Sequence, residues 1–470
     1  MKKFREVADR RQQALIPRSV EEFVPEDDLV RYVDALVDEF NISKIENWYS
    51  SFGRPGFSPR VLIKILLYGK IRGLRSSREL ARAVQENLRF IYIASNEKPD
   101  FRTISKFRKR FSKELSSLLA QTVGIGMSEG LISLDHVSID GTKFGASAGR
   151  NSFKTPEELE KRILELEKEL RESFKQDCKL DEQEDERFGD DDYDGGLPAE
   201  LQDKKVLRDK MKEALKNYES FSNKPKKVSV TDPESRFMKG KGINPSYNAQ
   251  AAIDTESRMV VGGYITNATC DHGQLPDVLE DIEQTCGRNP EQISADKGYG
   301  LKKGLVELQK RKITGYVSQR KESPLKFSIL NFKYIPDKDV YVCPNGRKLE
   351  LEYEHLKQEY KQYKCTNCDN CQLRKQCTRG IGNRTLKAPY TTELWLDMLS
   401  RTESDKGKEI AKIRSSTIEP LFGYIKSSKK LRRFMFRGLN MINCMWKLEL
   451  AAVNLEKLAK HHRQKKLITA

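Results

Sequence analysis

The chain has 470 residues, with 86 Lys+Arg against 69 Asp+Glu for a formal charge of +17, and is 37% hydrophobic and 33% charged. That length allows about two to four domains with sizeable cores. No apolar run reaches the roughly 18 residues of a membrane span, because VLIKILLYG (61–69) and the stretch 441–453 are broken by Lys64, Lys447 and Glu449. A membrane protein is therefore not expected. The start, MKKFREVADRRQQALIPRS, lacks the apolar segment of a secretory signal, so a cytoplasmic chain is expected. Nine cysteines in a reducing compartment make a poor disulfide framework, and five of them fall within residues 343–377, which points to metal. Residues 51–110 hold 15 Lys+Arg against 4 Asp+Glu, residues 401–470 hold 17 against 6, and residues 177–200 hold 2 against 11. Two basic blocks suit phosphate backbones, although solvated charged helices give the same counts.

Apolar positions Leu29, Val33, Leu36, Val37 and Phe40 have helical spacing and lead to the turn-rich SSFGRPGFSP. Pro59 suits the first turn of a helix that Gly73 stops, and Ser76 with Glu79 forms a capping box for the next. Asp100 caps DFRTISKFRKRF, predicted to turn Phe101, Ile104, Phe107 and Phe111 inward and Arg102, Lys106, Arg108, Lys109 and Arg110 largely outward. Short helices joined by Gly or Pro turns, one of them strongly basic, fit a helix-turn-helix-like DNA-binding module.

From about residue 131 short β-like runs follow: HVSIDGTKF, YNAQAAID, RMVVGGYIT, QISAD and TGYVS, around a helix predicted over 274–285. Strands interleaved with helices indicate an α/β domain with a mixed sheet. An insert of about a hundred residues separates the first two strands. In it Thr155 and Glu158 cap a helix striped with Leu159, Ile163, Leu166 and Leu170, residues 201–218 return antiparallel, and the acidic DEQEDERFGDDDYDGG between them reads as a flexible linker.

Three carboxylates draw attention. Asp140 in SIDGTKFGAS and Asp296 in SADKGYG each follow an apolar strand, with Gly within two residues to turn the backbone at the sheet's rim. Glu419 lies in SSTIEPLFGYIKSSKKLRRF, where Thr417 as cap and Pro420 in a first turn would place it near a helix N-terminus, with Lys426 two helical turns on. Carboxylates gathered from separate elements are what two Mg²⁺ ions need. Asp254 reads as a hairpin turn, Asp271 with His272 as a helix cap, and Tyr299 and Ser138 lack the partners of a recombinase nucleophile. Cys365, Cys368 and Cys371 are separated by two residues each and Cys377 by five more, with Cys343 in CPNG, a zinc-ligand spacing with one thiol too many. KSSKKLRRFMFRGL (426–439) interleaves Lys429, Lys430, Arg432 and Arg433 with aromatics and suits a DNA channel.

The ordered set SIDGTK, YNAQAAID, TNATCDHGQLPDVLEDI, SADKGYG and STIEPLFGYIK resembles the DDE-type insertion-sequence transposases. The branch meant is the one with a helical N-terminal region, a TDPESRFMKGKG-like segment and a Cys-rich insert before the catalytic Glu. The resemblance implies an RNase H-like mixed-sheet core with an inserted helical hairpin and a small zinc-ribbon-like insert, preceded by an all-α domain. It implies domains at 1–125 (DNA-binding), 126–150 with 226–330 (core), 151–225 (insert), 331–385 (zinc insert), 386–460 (core with the catalytic Glu) and 461–470 (basic tail). Asp140, Asp296 and Glu419 match the metal-binding acids, for two Mg²⁺ (or Mn²⁺) ions, and Lys426 matches a lysine set against DNA. The related Arg position is Ser415 here, with Arg414 one residue earlier. Cys343, Cys368, Cys371 and Cys377 are the expected Zn²⁺ ligands, with Cys365 as alternative. The activity implied is strand cleavage and transfer on terminal inverted repeats and target DNA by a homodimer or larger complex. A DNA-binding regulator with an inactive core and a metal-dependent nuclease without strand transfer are the competing readings.

Overall fold

The computed structural model describes residues 19–50, 55–188, 199–221, 224–240, 242–300, 302–318, 327, 329–356, 360–378, 382–389 and 392–469. The N-terminal helices are α1 (Val20–Phe23), α2 (Leu29–Asp38), α3 (Ser43–Glu46), α4 (Pro59–Ile71), α5 (Ser77–Glu86), α6 (Leu88–Ile93), α7 (Phe101–Arg110), α8 (Ser112–Ser116) and α9 (Leu118–Ser128). Their starts follow the predicted caps. Ser76 and Glu79 form the capping box of α5, and Asp100 Oδ1 accepts the Thr103 N–H at 2.6 Å. α4 is buried along most of its length, Lys64 included, because Asp34 and Asp38 meet its ammonium at 2.7 and 2.8 Å. Phe101, expected inward, is exposed beneath the Arg78 guanidinium.

β1 (His136–Gly145) opens the main sheet. β2 (Phe153–Lys154), the hairpin α10 (Pro156–Phe188) and α11 (Ala199–Glu219), and β3 (Val228–Ser229) then form a satellite with its own small core on Leu159, Leu166 and Ala214. The expected acidic linker is helical as far as Phe188, in keeping with its Glu-rich composition; 189–198 and the Cys178 side chain lie outside the described residues. β4 (Arg236–Gly240), β5 (Gly242–Asp254), β6 (Val260–Gly262), β7 (Ile265–Thr266), α12 (Leu275–Cys286), β8 (Gln292–Ala295), α13 (Lys302–Lys310) and β9 (Thr314–Val317) complete the sheet. Its order is β4-β5-β1-β8-β9, with β6 and β7 on the far edge of β5. β5 runs antiparallel to β1, whereas β8 and β9 run parallel to it.

A second, antiparallel sheet has the order β10 (Lys333–Ile335), β11 (Val340–Val342), β12 (Lys348–His355), β13 (Tyr360–Cys365) and β14 (Thr385–Pro389), with α14 (Arg374–Cys377) before its last strand. α15 (Thr392–Glu403), α16 (Asp405–Gly423) and α17 (Leu439–Thr469) close the chain, and α17 extends through the expected basic tail. One hydrophobic core runs from Val30 and Leu66 through Ile139 and Val260 to Trp446 and Leu455, so the N-terminal helices and the sheet share a core. Buried polar contacts join them as well: Glu449 on α17 takes Lys70 at 3.2 Å and Arg75 at 2.6 Å.

Candidate active site

Strand alternation puts Ser138, Asp140, Thr142 and Phe144 on one face of β1, and α16 with the π turn Tyr424–Ser428 that follows it crosses this face. At the first level three hydroxyls meet: Ser138 Oγ lies 3.1 Å from Ser294 Oγ and 3.2 Å from Thr417 Oγ1. One step further, the register that pairs Ile139 with Ala295 sets Asp140 beside Asp296. At the third level Lys426 donates to Thr142 Oγ1 and its ammonium lies 5.0 Å over the Phe144 ring.

Asp296 directly follows β8, as expected, but Asp140 does not end its strand. β1 continues to Gly145, and it is the parallel pairing with β8 that stops before Asp140. Gly141 is likewise mid-strand and makes no turn. A Cβ there would sit 2.3 Å from Asp271 Oδ1 and 2.4 Å from Gln250 Nε2, so glycine is required by close approach. Asp271 occupies that space on the face opposite α16, its Oδ1 accepting from Asn248 Nδ2 and Gln250 Nε2 at 2.8 Å each. The expected cap role for its side chain is thus corrected: the cap position of α12 is Gln274. Only the glycines at 141 and 298, where a Cβ would meet Asp271 Cβ at 3.1 Å, hint at this in the sequence.

Burial pushes the Asp140 carboxyl up to about 6; the Gly141 N–H and Arg414 oppose this, and the fields of Asp271 and Asp296 add to it. Arg414 Nη1 is 3.5 Å from Asp140 Oδ2, so this side chain pairs with an acid. Glu419 is exposed on α16, the helix that packs on Asp140's face. Its expected place near a helix N-terminus is corrected. α16 begins at Asp405, where Ser404 Oγ accepts the Gly407 N–H at 3.1 Å, and Thr417 is an interior residue bonded to Ile413 O at 2.8 Å. Pro420 removes one donor from the ladder, and the helix widens into the π turn that carries Lys426. Burial lowers the pKa of Lys426. Tyr299 is fully buried and donates to Gln250 Oε1, and Asp254 holds its turn through Ser257 and Leu134, so neither competes for the site.

Of the expected DNA contacts, Arg102, Lys106, Lys109, Arg110, Lys430 and Arg432 are exposed. Arg433 is also exposed, with its Nε bonded to Ala146 O at 2.8 Å. Two are corrected. Arg108 is 3% exposed and bonds Arg75 O and Ser77 Oγ at 2.8 and 2.9 Å. Lys429 is buried, donating to Ile71 O and, at 2.7 Å, to Glu456. Lys429 thereby ties the end of α4 to α17, and Arg108 reaches the C-terminal part of the chain through the Phe436 ring, 5.6 Å from its guanidinium.

Cys343, Cys365, Cys368, Cys371 and Cys377 line one small cavity beside the second sheet. Backbone N–H groups of Arg347 and Arg384 approach Cys343 Sγ and Cys368 Sγ at 3.3 Å, and Asn345 Nδ2 approaches Cys371 Sγ at 3.5 Å. Cys365 instead donates to Asn367 O, and burial pushes its thiol up to about 11. The region buries Phe332, Tyr341, Leu349, Tyr363 and Leu386 in a core of its own. Among the described residues no group of three or more His, Cys, Asp or Glu is closed up as a metal site. Nor does any described helix have the length and apolarity to cross a membrane.

The chain matches a family model described as a transposase domain over residues 18–110, and one described as a transposase DDE domain over residues 342–459. Both matches support a DDE-type insertion-sequence transposase. The second match contains Glu419 and Lys426, while Asp140 and Asp296 lie in the unmatched span between the two. Searches of curated proteins and of solved structures give no match.

Proposed function

We propose that the chain cuts and joins DNA at an Asp140-Asp296-Glu419 site on an RNase H-like core. The observation that carries this is the placement of Asp140 and Asp296 side by side on parallel strands, beneath the helix that bears Glu419. A sheet in which β5 opposes β1 while β8 and β9 run with it supports the fold assignment. The donor set is carboxylate oxygen without sulfur or imidazole, which suits Mg²⁺ or Mn²⁺. Two such ions would supply Lewis-acid polarisation at phosphorus and an acidified water.

Asp140 and Asp296 provide the negative charge that recruits cations, and Arg414 offsets part of it at Asp140. Lys426, at the third level of the same face, meets a phosphate of the bound strand. In cleavage a water oxygen bonds to phosphorus as the P–O3′ bond breaks, leaving a 3′-OH and a 5′-phosphate. In joining, that 3′-oxygen bonds to a target phosphate as the target's P–O3′ bond breaks. Terminal repeats are bound by the exposed face of α7, paired ends imply a dimer or larger complex, and the work is done in the cytoplasm.

We also assign a structural Zn²⁺ to Cys343, Cys368, Cys371 and Cys377. Three of these sulfurs receive N–H groups, as thiolates do, whereas Cys365 keeps a donating thiol. The test of function is Mg²⁺-dependent cleavage and joining of duplexes carrying the element's ends, comparing wild type with Asp140→Ala, Asp296→Ala and Glu419→Ala. Loss of both products in each variant, with duplex binding retained, supports the reading. Specific binding without cutting by wild type would favour a regulator, and cutting without joined products a nuclease.

A further inference from the structure

The segment TDPESRFMKGKG has no part in the acid site, yet it is built with care. Asp232 is fully buried and accepts from Tyr247 Oη at 2.7 Å and from the Gly438 N–H at 3.2 Å. Glu234 accepts the Leu439 N–H, and Arg236 bonds Pro233 O and Ser235 O at 2.8 and 2.9 Å. These bonds fix the β4–β5 hairpin against the entry to α17. The hairpin then stands as one wall of a groove of about 830 Å³ whose floor is the 141–148 stretch and whose other wall is the 426–433 segment.

The lining of this groove is one-sided in charge. Lys143, Arg150, Lys426, Arg432 and Arg433 contribute to it, and no carboxylate does among the described residues. Gly145, Ala146 and Ala148 keep the floor low, and Arg150 is held at the wall by Ile243 O and Asn244 Oδ1, both at 2.9 Å. The groove begins at Gly141, next to Asp140. A cationic trough of about 830 Å³, with a low floor and lying beside the proposed phosphoryl-transfer site, suits a few nucleotides of one polynucleotide strand.

We propose that this groove seats a single DNA strand adjacent to the reacting phosphate, with Lys143 and Arg150 as phosphate contacts. The proposal rests on the DNA-cleaving reading above, and names the form of DNA that the site admits. Its test needs no cleavage. Full-length protein in chelator is titrated with a labelled single-stranded oligothymidylate and, separately, a blunt duplex, and photo-crosslinks from thio-thymidine are mapped by mass spectrometry.

Wild type should crosslink within 142–150 and 242–246. Lys143→Ala with Arg150→Ala should weaken single-strand binding at least tenfold and lower the salt slope by about 1.4, at roughly 0.7 per phosphate contact. Duplex binding should change less than twofold. Because Arg150 also braces the hairpin, Arg432→Glu on the opposite wall is the second variant and should give the same selective loss with an unchanged melting temperature. Crosslinks confined to other segments, or equal losses for duplex and single strand in folded variants, would overturn the groove assignment. Because the titration is made in chelator, where no strand is cut, failure of cleavage and failure of the groove are told apart.

Discussion

The two sheets of this molecule carry their functional side chains on opposite terms. In the main sheet, half-buried acids stand beside one another, and burial and mutual repulsion push Asp140 up to about 6. In the second sheet, the cysteines line a small cavity on top of an independent core, and two backbone N–H groups and one side-chain amide already approach three of the sulfurs. The first is a cluster that the fold holds against an electrostatic cost, one that a bound cation would relieve. The second is an addition to a sheet with its own packing.

The largest effect that sharpens this contrast is on activity. Asp140→Asn or Asp296→Asn should cut DNA cleavage at least about a thousandfold, whereas Asp140→Asn should not lower the melting temperature. The sign follows from linkage. A carboxyl whose folded pKa lies above its ordinary 3.8 contributes stability at low pH, loses it as pH rises towards about 6, and costs stability when ionised. Removing that charge at neutral pH is therefore neutral or stabilising, and a marked drop in melting temperature for Asp140→Asn would break the contrast.

Next in size is Glu449→Ala. It strands the buried Lys70 and Arg75 charges at the junction between α4 and α17, and should cost about 3–5 kcal/mol in denaturant titration. A loss under about 1 kcal/mol would show that the junction is not maintained in solution.

A smaller effect is expected at the cysteines. Wild type should carry one zinc per chain by elemental analysis. Its chelation, or Cys368→Ser, should expose the 343–384 stretch to protease while the main unfolding transition stays in place, because Tyr341, Leu349 and Tyr363 still pack. Unfolding of the whole chain on chelation would contradict that independence.

The smallest concerns pH. Burial pulls His136 down to about 4 from 6.5, the Asp254 field opposing and Lys406 adding to it. The unfolded chain then binds the proton more tightly, so the neutral imidazole's contribution is full above about 6.5 and is lost as pH falls towards 4. His136→Gln should flatten the pH dependence of stability within that window, and an unchanged slope would refute the assignment.

Local signals carried much of this architecture. The caps at Ser76, Asp100 and Thr155, the α12 stripe and the strand-final Asp296 all rest on interactions within a few residues, and each stands where its pattern predicts. What was not legible depends on distant partners. Gly141 looks like a turn residue until Asp271 is seen filling its missing side chain. Lys429 and Arg108 have the spacing of surface cations, and it is their partners Glu456, Ile71, Arg75 and Ser77 that bury them. The start of α16 was misplaced because Thr417 and Pro420 imitate an N-terminus, whereas Ser404 supplies the cap thirteen residues earlier.

The most direct test of the central claim is to map which residues surround the bound cation. Protein with an element-end duplex is charged with Fe²⁺ in place of Mg²⁺ and given ascorbate and peroxide, and the sites of hydroxyl-radical backbone cleavage are read by mass spectrometry. Cuts flanking Asp140 and Asp296, with a further cut near Glu419, all suppressed by excess Mg²⁺, are the predicted result. Cuts that avoid both aspartates would contradict the account.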